Sequence, residues 1–152
     1  MHNIALMIIG QVESPIQEQT DEHWGEVSAR VVLRPEYHEG LRGIEQFSHA
    51  LIVTFLHEAL YDPSRHLVRR PRGLASMPEV GIFAQRAKDR PNPLGITAAA
   101  IVGVEPGVLV VRGLDAIDGT PVVDVKPYYP AYDRVMDAAV PEWVDRLMKE
   151  YF

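Results

Sequence analysis

Apolar positions along this chain recur in short bursts, most of them ended by proline or glycine. Ile4 to Val12 is an almost unbroken apolar run that stops at Ser14-Pro15, which predicts a buried strand. From Val27 to Leu33, the residues Val27, Ala29, Val31 and Leu33 alternate with Ser28, Arg30 and Val32. That is the period of a strand with one wetter face, and Arg34-Pro35 ends it. Ala50 to His57 reads as a strand buried on both faces. Val80 to Ala84, Ile96 to Val104, Val108 to Arg112 and Pro121 to Lys126 complete the set, with a turn at Pro106-Gly107. Helical periodicity is scarce. Leu41 to Phe47 has room for one turn. Trp143, Leu147 and Tyr151, widened by Val144 and Met148, predict a short C-terminal helix that starts at Pro141 and packs its apolar face on the barrel. Six or seven short strands and almost no helix indicate an all-β chain: a small closed or nearly closed β-barrel with a short C-terminal helix.

Composition adds bounds to that picture. A chain of 152 residues, 47% hydrophobic and 24% charged, is one globular domain over residues 1–152, large enough to bury a core. It has no cysteine, which removes disulfides, thiolate metal sites and cysteine nucleophiles together. The run Ile4–Ile9 is too short to span a bilayer, and no Lys or Arg precedes it as in a signal peptide. A cytoplasmic protein with no membrane partner is expected.

The net charge of −6 argues against a polyanionic partner, but it is unevenly spread. Between Arg65 and Arg90 lie seven basic residues and two acidic ones, a net of +5 that leaves −11 for the rest. Two readings of this strip stand side by side: a solvated arginine-rich loop, or a phosphate-facing patch that includes Arg69, Arg70, Arg72, Lys88 and Arg90.

Common catalytic cassettes are missing from the sequence. There is no Gly-x-Gly-x-x-Gly after a strand, no phosphate-binding loop and no Gly-x-Ser-x-Gly elbow. His57-Glu58 begins like a zinc-protease helix, but Tyr61 stands where the second histidine belongs. The six histidines show no ligand spacing, and no metal is expected.

Two segments carry more constraint than connections need. In Arg90-Pro91-Asn92-Pro93-Leu94-Gly95, two prolines fix their own φ and push Arg90 and Asn92 into extended geometry. A rigid strand connection explains this. So does a ligand-holding loop beside Arg86, because a stiff loop has little entropy left to lose on binding. In the second segment Asp115, Asp118 and Asp124 fall within ten residues. Asp118-Gly119 is a turn signal. Asp124, between Val123 and Val125, is expected to be buried against Lys126 or an arginine.

These segments, with Ile9-Gly10 and Ser14-Pro15, Gly43-Ile44 and Phe47-Ser48-His49, Gly81-Ile82-Phe83-Ala84, and Asp118-Gly119-Thr120-Pro121 followed by Asp124-Val125-Lys126-Pro127-Tyr128, occur in an order that resembles the TrmO (TsaA-like, YaeB) family. The resemblance runs from about Ile9 to Tyr128. It implies a β-barrel that binds S-adenosyl-L-methionine without a Rossmann domain, commonly as a homodimer with the cofactor near the subunit interface. The implied activity is methylation of N6 of N6-threonylcarbamoyladenosine in the tRNA anticodon loop. By motif position, cofactor contacts fall on His57, Glu58, Arg86, Ile96 and the turn Leu114, Asp115, Ala116, Ile117, Asp118, Gly119 and Thr120. The tRNA-facing group is then Arg69, Arg70, Arg72, Lys88, Arg90 and Asn92. No residue stands out as a general base.

The chain departs from the family pattern in two places. Gln85-Arg86-Ala87-Lys88 replaces the usual Thr-Arg-Ser-Pro, and Asp21-Glu22-His23-Trp24-Gly25 lies where a Gln-Pro-Gly segment is common. Longer tRNA-modifying members also have a C-terminal domain beyond the matched region. Three functions therefore stay open: the tRNA methyltransferase, a methyltransferase of the same fold for another nucleoside or a small molecule, and a non-catalytic S-adenosylmethionine- or RNA-binding module.

Overall fold

A computed structural model of the protein describes residues 2–152. Six strands close into an antiparallel barrel: β1 (Gly10–Glu13), β2 (Ser28–Leu33), β3 (His49–Phe55), β6 (Leu94–Glu105), β7 (Val108–Arg112) and β8 (Pro121–Pro127), in the spatial order β1-β2-β7-β6-β3-β8. Between β3 and β6 the chain makes an excursion over residues 56–93. It holds the single-turn helix α1 (Pro63–His66) and a two-stranded ribbon of β4 (Val68–Arg69) and β5 (Val80–Gly81). After the barrel come α2 (Pro130–Asp133) and α3 (Glu142–Met148). Among the described residues no helix is long and apolar enough to cross a membrane.

Alternation dictates the core. Ala29, Val31 and Leu33 point inward from β2, Ala50 and Ile52 from β3, Leu109 and Val111 from β7, and all are buried with Val12, Ala99 and Val122. The seam between β1 and β8 is the shortest, pairing only Gly10 with Val122 and Gln11 with Pro121. It is extended by Ile9 N–H donating to Val122 O at 2.9 Å and Val12 N–H to Thr120 O at 2.9 Å.

Four expectations need correction. The first strand begins at Gly10, not Ile4. Because β2 stops at Arg34-Pro35, nothing on that side remains for residues upstream of Ile9 to pair with, and Ile4 and Met7 are exposed. Val80 to Ala84 is no barrel strand: only Val80 and Gly81 pair, with β4, and Ile82–Ala84 turns as a 3₁₀ helix anchored by the buried Ile82. Strand β3 stops at Phe55, and its outer face is only half covered. The C-terminal helix ends at Met148. None of its residues is fully buried: Trp143, Val144 and Leu147 of its stripe are half-covered, Arg146 reaches Ser76 O in the excursion, and Tyr151 lies beyond the helix. Leu41 and Phe47 flank a 3₁₀ turn over Ile44–Gln46, as the spacing allows.

Candidate functional site

Two turns at one end of the barrel shape a cleft. Where β3 ends, Leu56 N–H donates to Pro93 O at 2.7 Å and Ala59 N–H to Leu56 O at 2.9 Å, so His57 and Glu58 stand exposed at a tight tip. His57 and Glu58 make no hydrogen bond or ion pair among the described residues. Where β7 ends, Leu114 is buried in the core and pins the next turn from below. Ala116 and Ile117 follow it inward. Thr120 Oγ1 donates to Ile117 O at 2.7 Å and closes the turn on itself.

The cleft between these turns is lined by Leu56, His57, Glu58, Asp115, Ala116 and Ile117, with Thr120, Ala59, Gln19 and Lys88 at its edges. The cleft is shallow, with an enclosed volume of about 10 Å³. Its walls combine apolar side chains with two carboxylates and one ammonium group. That chemistry suits a ligand with an apolar body and a cationic or hydroxylated end. Asp115 is the best-held of these groups, accepting from Thr97 Oγ1 on one oxygen and from Tyr151 OH at 2.5 Å on the other.

Six of the eleven residues assigned to the cofactor thus line one cleft: His57, Glu58, Asp115, Ala116, Ile117 and Thr120. The remaining five sit elsewhere. Leu114 is core. Asp118 accepts from Ser14 N–H at 2.9 Å and borders a different, broader groove with Glu13, Arg30 and Glu105. Gly119 N–H donates to Val12 O and so belongs to the turn's frame. Arg86 donates to Ile96 O at 2.8 Å, which brings those two together on the outer face of β6 rather than in the cleft.

The basic strip is mostly engaged within the excursion. Arg70 donates to Met77 O, and Arg90 to Gln85 O at 3.0 Å and Ala87 O at 3.2 Å. Arg72 lies 3.6 Å from Asp21 and over the ring of Tyr151. Lys88 and Arg69 face Asp89, at 3.3 and 4.0 Å. Burial pushes the Asp89 carboxyl up, but the Leu60 N–H, the Lys88 ammonium and His66 outweigh it and hold the group below its usual range. Asn92 is exposed between its prolines, and Arg65 is exposed with no ion pair among the described residues. Asp124 does pair with Lys126, at 2.8 Å, but both side chains are half-exposed, not buried.

The sequence pattern did not single out Gln19, Leu56 or Ala59 as cleft residues, nor Thr97 and Tyr151 as partners of Asp115. The spacing of Tyr151 fits the helical stripe, but the helix ends at Met148, three residues earlier. The described residues also bring Glu22, His23 and Glu150 close, with one ligand atom of each within 4.8 Å of the others, all on exposed side chains.

Comparison with known proteins agrees with the motif resemblance. An S-adenosyl-L-methionine-binding protein of Archaeoglobus fulgidus is 36% identical over 131 residues, 84% of this chain and 91% of that protein. The tRNA (adenine(37)-N6)-methyltransferase of Escherichia coli K12 is 38% identical over 105 residues, 66% of this chain and 44% of that protein. A crystal structure of TrmO from Pseudomonas aeruginosa superposes with a TM-score of 0.77 at 30% identity, covering 94% of this chain and 62% of that one. The chain spans under half the length of several bacterial relatives it matches, 41% and 43% for two from Pseudomonas aeruginosa. The model of the family described as tRNA-methyltransferase O N-terminal domain matches residues 10–134, and this chain belongs to that family.

Proposed function

We propose that this chain is the S-adenosyl-L-methionine-binding, methyl-transferring domain of a tRNA-modifying enzyme. Its target is N6 of an adenosine in the anticodon loop, with N6-threonylcarbamoyladenosine as the leading substrate. The observation that carries the reading is the meeting of the His57-Glu58 tip and the Asp115–Thr120 turn in one cleft. An archaeal relative of nearly the same extent is named for S-adenosyl-L-methionine binding, and the Escherichia coli relative for N6 methylation of tRNA adenine.

The residues present fit such a group. Leu56, Ala116 and Ile117 offer apolar walls for a purine, while Asp115 and Glu58 offer acceptors for ribose hydroxyls or an amino group. When bound, the cofactor supplies a methyl group on a positively charged sulfur. The chain's part is alignment: the transfer is an in-line displacement, so fixing donor and acceptor on a rigid turn removes most of the orientational entropy. Two carboxylates beside the cleft favour a cationic ligand over a neutral one. Glu58 and His57, on the open side, are the groups within reach of an incoming base. An anticodon loop is single-stranded, so its base is presented without opening a duplex.

The reading includes a cytoplasmic homodimer. The cleft encloses a cavity of only about 10 Å³, far below the roughly 300–1,000 Å³ usual for a small-molecule site, so on this reading the cofactor pocket is completed by a second subunit. Phe55, Leu94, Ile96 and Phe83 are exposed and supply an apolar surface for that contact. Sedimentation analysis of the purified protein reads the assembly directly.

Calorimetry with S-adenosyl-L-methionine tests cofactor binding, and labelled methyl transfer to tRNA tests the reaction. Saturable binding together with label in tRNA is the expected result. Binding without transfer would redirect the reading to another acceptor or a non-catalytic module. Absence of any heat of binding would overturn it.

A further inference from the structure

Asp115 has hydroxyl partners on both oxygens, Thr97 Oγ1 from β6 and Tyr151 OH at 2.5 Å. Tyr151 is no part of the cleft wall, so any effect it has on a bound molecule passes through Asp115. We propose that Tyr151 is a positioning residue of the cleft, holding the Asp115 carboxylate in the orientation that receives the hydroxylated, cationic end of the ligand. The proposal rests on the reading of the cleft as the cofactor site.

Tyr151 is itself secured by independent contacts. His23 N–H donates to Glu150 O and Trp24 N–H to Tyr151 O, both at 2.7 Å. Trp24 is fully buried, and its indole N–H donates to Thr20 O at 2.9 Å, so the segment that receives Tyr151 is anchored. The Arg72 guanidinium lies 5.9 Å from the Tyr151 ring centre, within cation–π range. Gly25 makes the approach possible, because a Cβ there would stand 2.7 Å from the Phe152 carbonyl carbon.

The choice of donors has a chemical consequence. An arginine on Asp115 would hold the carboxylate equally well but would cancel its charge. Two hydroxyls fix its geometry and leave the negative charge facing the cleft. Burial and the neighbouring Asp115 charge drive the Tyr151 phenol far above its ordinary ionisation range, so it remains a donor at every pH at which the protein works.

The test is calorimetric titration with S-adenosylhomocysteine of the wild type, Tyr151→Phe, Asp115→Ala, the double variant and Gly25→Ala. Tyr151→Phe keeps the ring, the Arg72 contact and the backbone pairing, and removes only the hydroxyl. It is expected to weaken binding about tenfold. That loss should vanish when Asp115 is already Ala and offers no acceptor, as coupling through one partner requires. Gly25→Ala crowds the segment without touching the phenol and is expected to weaken binding in the same direction. If the wild type binds and Tyr151→Phe binds equally well, or loses as much in both backgrounds, the positioning role is wrong while the cofactor reading stands. If the wild type takes up no ligand, both fall together.

Discussion

Gly10 shows how much of this barrel hangs on one missing methyl group. A Cβ there would lie 2.3 Å from Val32 O and 2.9 Å from Leu33 Cα, both backbone atoms of the neighbouring strand. Neither can swing aside as a side chain would. Gly10 pairs with Leu33 on one side and Val122 on the other, so the crowding falls on the closing seam. Gly10→Ala is therefore expected to destabilise the fold by about 1–3 kcal/mol, the range of an overpacked core. Urea unfolding reads this as a lower midpoint. A midpoint equal to that of the wild type would mean that β1 moves freely against β2, contrary to the pairing. The Gly119 position offers the contrast: its Cβ would meet nothing within 4 Å, and only its φ of 79° favours glycine.

At the scale of elements, the excursion over residues 56–93 is organised by one carboxylate. Asp89 accepts from Leu60 N–H at 2.9 Å, pairs with Lys88 and approaches His66 and Arg69. Burial opposes its charge, but the Leu60 N–H, Lys88 and His66 outweigh it and hold the folded ionisation below the ordinary value of about 4, so its stabilising contribution is complete above that pH. The contribution is lost as the pH falls through the lower, folded value. Acidification from about pH 5 to pH 3 is thus expected to raise hydrogen exchange in residues 60–90 ahead of the barrel strands, and Asp89→Asn to flatten that dependence. Uniform loss of protection in barrel and excursion together would count against a local clasp.

What the sequence made legible also sorts by element. Strand β2 is plain because its inward residues alternate with outward ones and Arg34-Pro35 ends it, while β7 and β8 are legible as branched apolar runs bounded by turn residues. The motifs at Asp115–Thr120 and Pro91–Gly95 are legible as turns because turn chemistry is local, and the structure puts both at the cleft end of the barrel. The first strand was misjudged because an apolar run has no way to report that its partner strand has stopped. The Tyr151–Asp115 contact is hidden for a similar reason: the two residues meet across 36 positions of sequence, and no local pattern encodes such a contact. The basic strip was legible as charge but not as architecture, since charge counting cannot distinguish an arginine bound to a carbonyl from a free one.

For the whole molecule, that distinction decides where RNA would act. The net +5 of Arg65 to Arg90 sits on a body of −11, so the field attracts a phosphate backbone to the excursion and repels it from most of the remaining surface. Within the strip, Arg70 and Arg90 are tied to backbone carbonyls, and a charge reversal at either would loosen the excursion as well as change the field. Arg65 is exposed and without an ion pair among the described residues, so it separates the two effects. Arg65→Glu is expected to weaken tRNA association and reduce the slope of log K against log salt by about 1, with the melting temperature unchanged. Affinity for S-adenosyl-L-methionine should stay at the wild-type value, because residue 65 lies outside the cleft. An unchanged salt slope would remove the face around Arg65 from the RNA path. It would leave Lys88, at the cleft edge, as the cation through which phosphate could still reach the site.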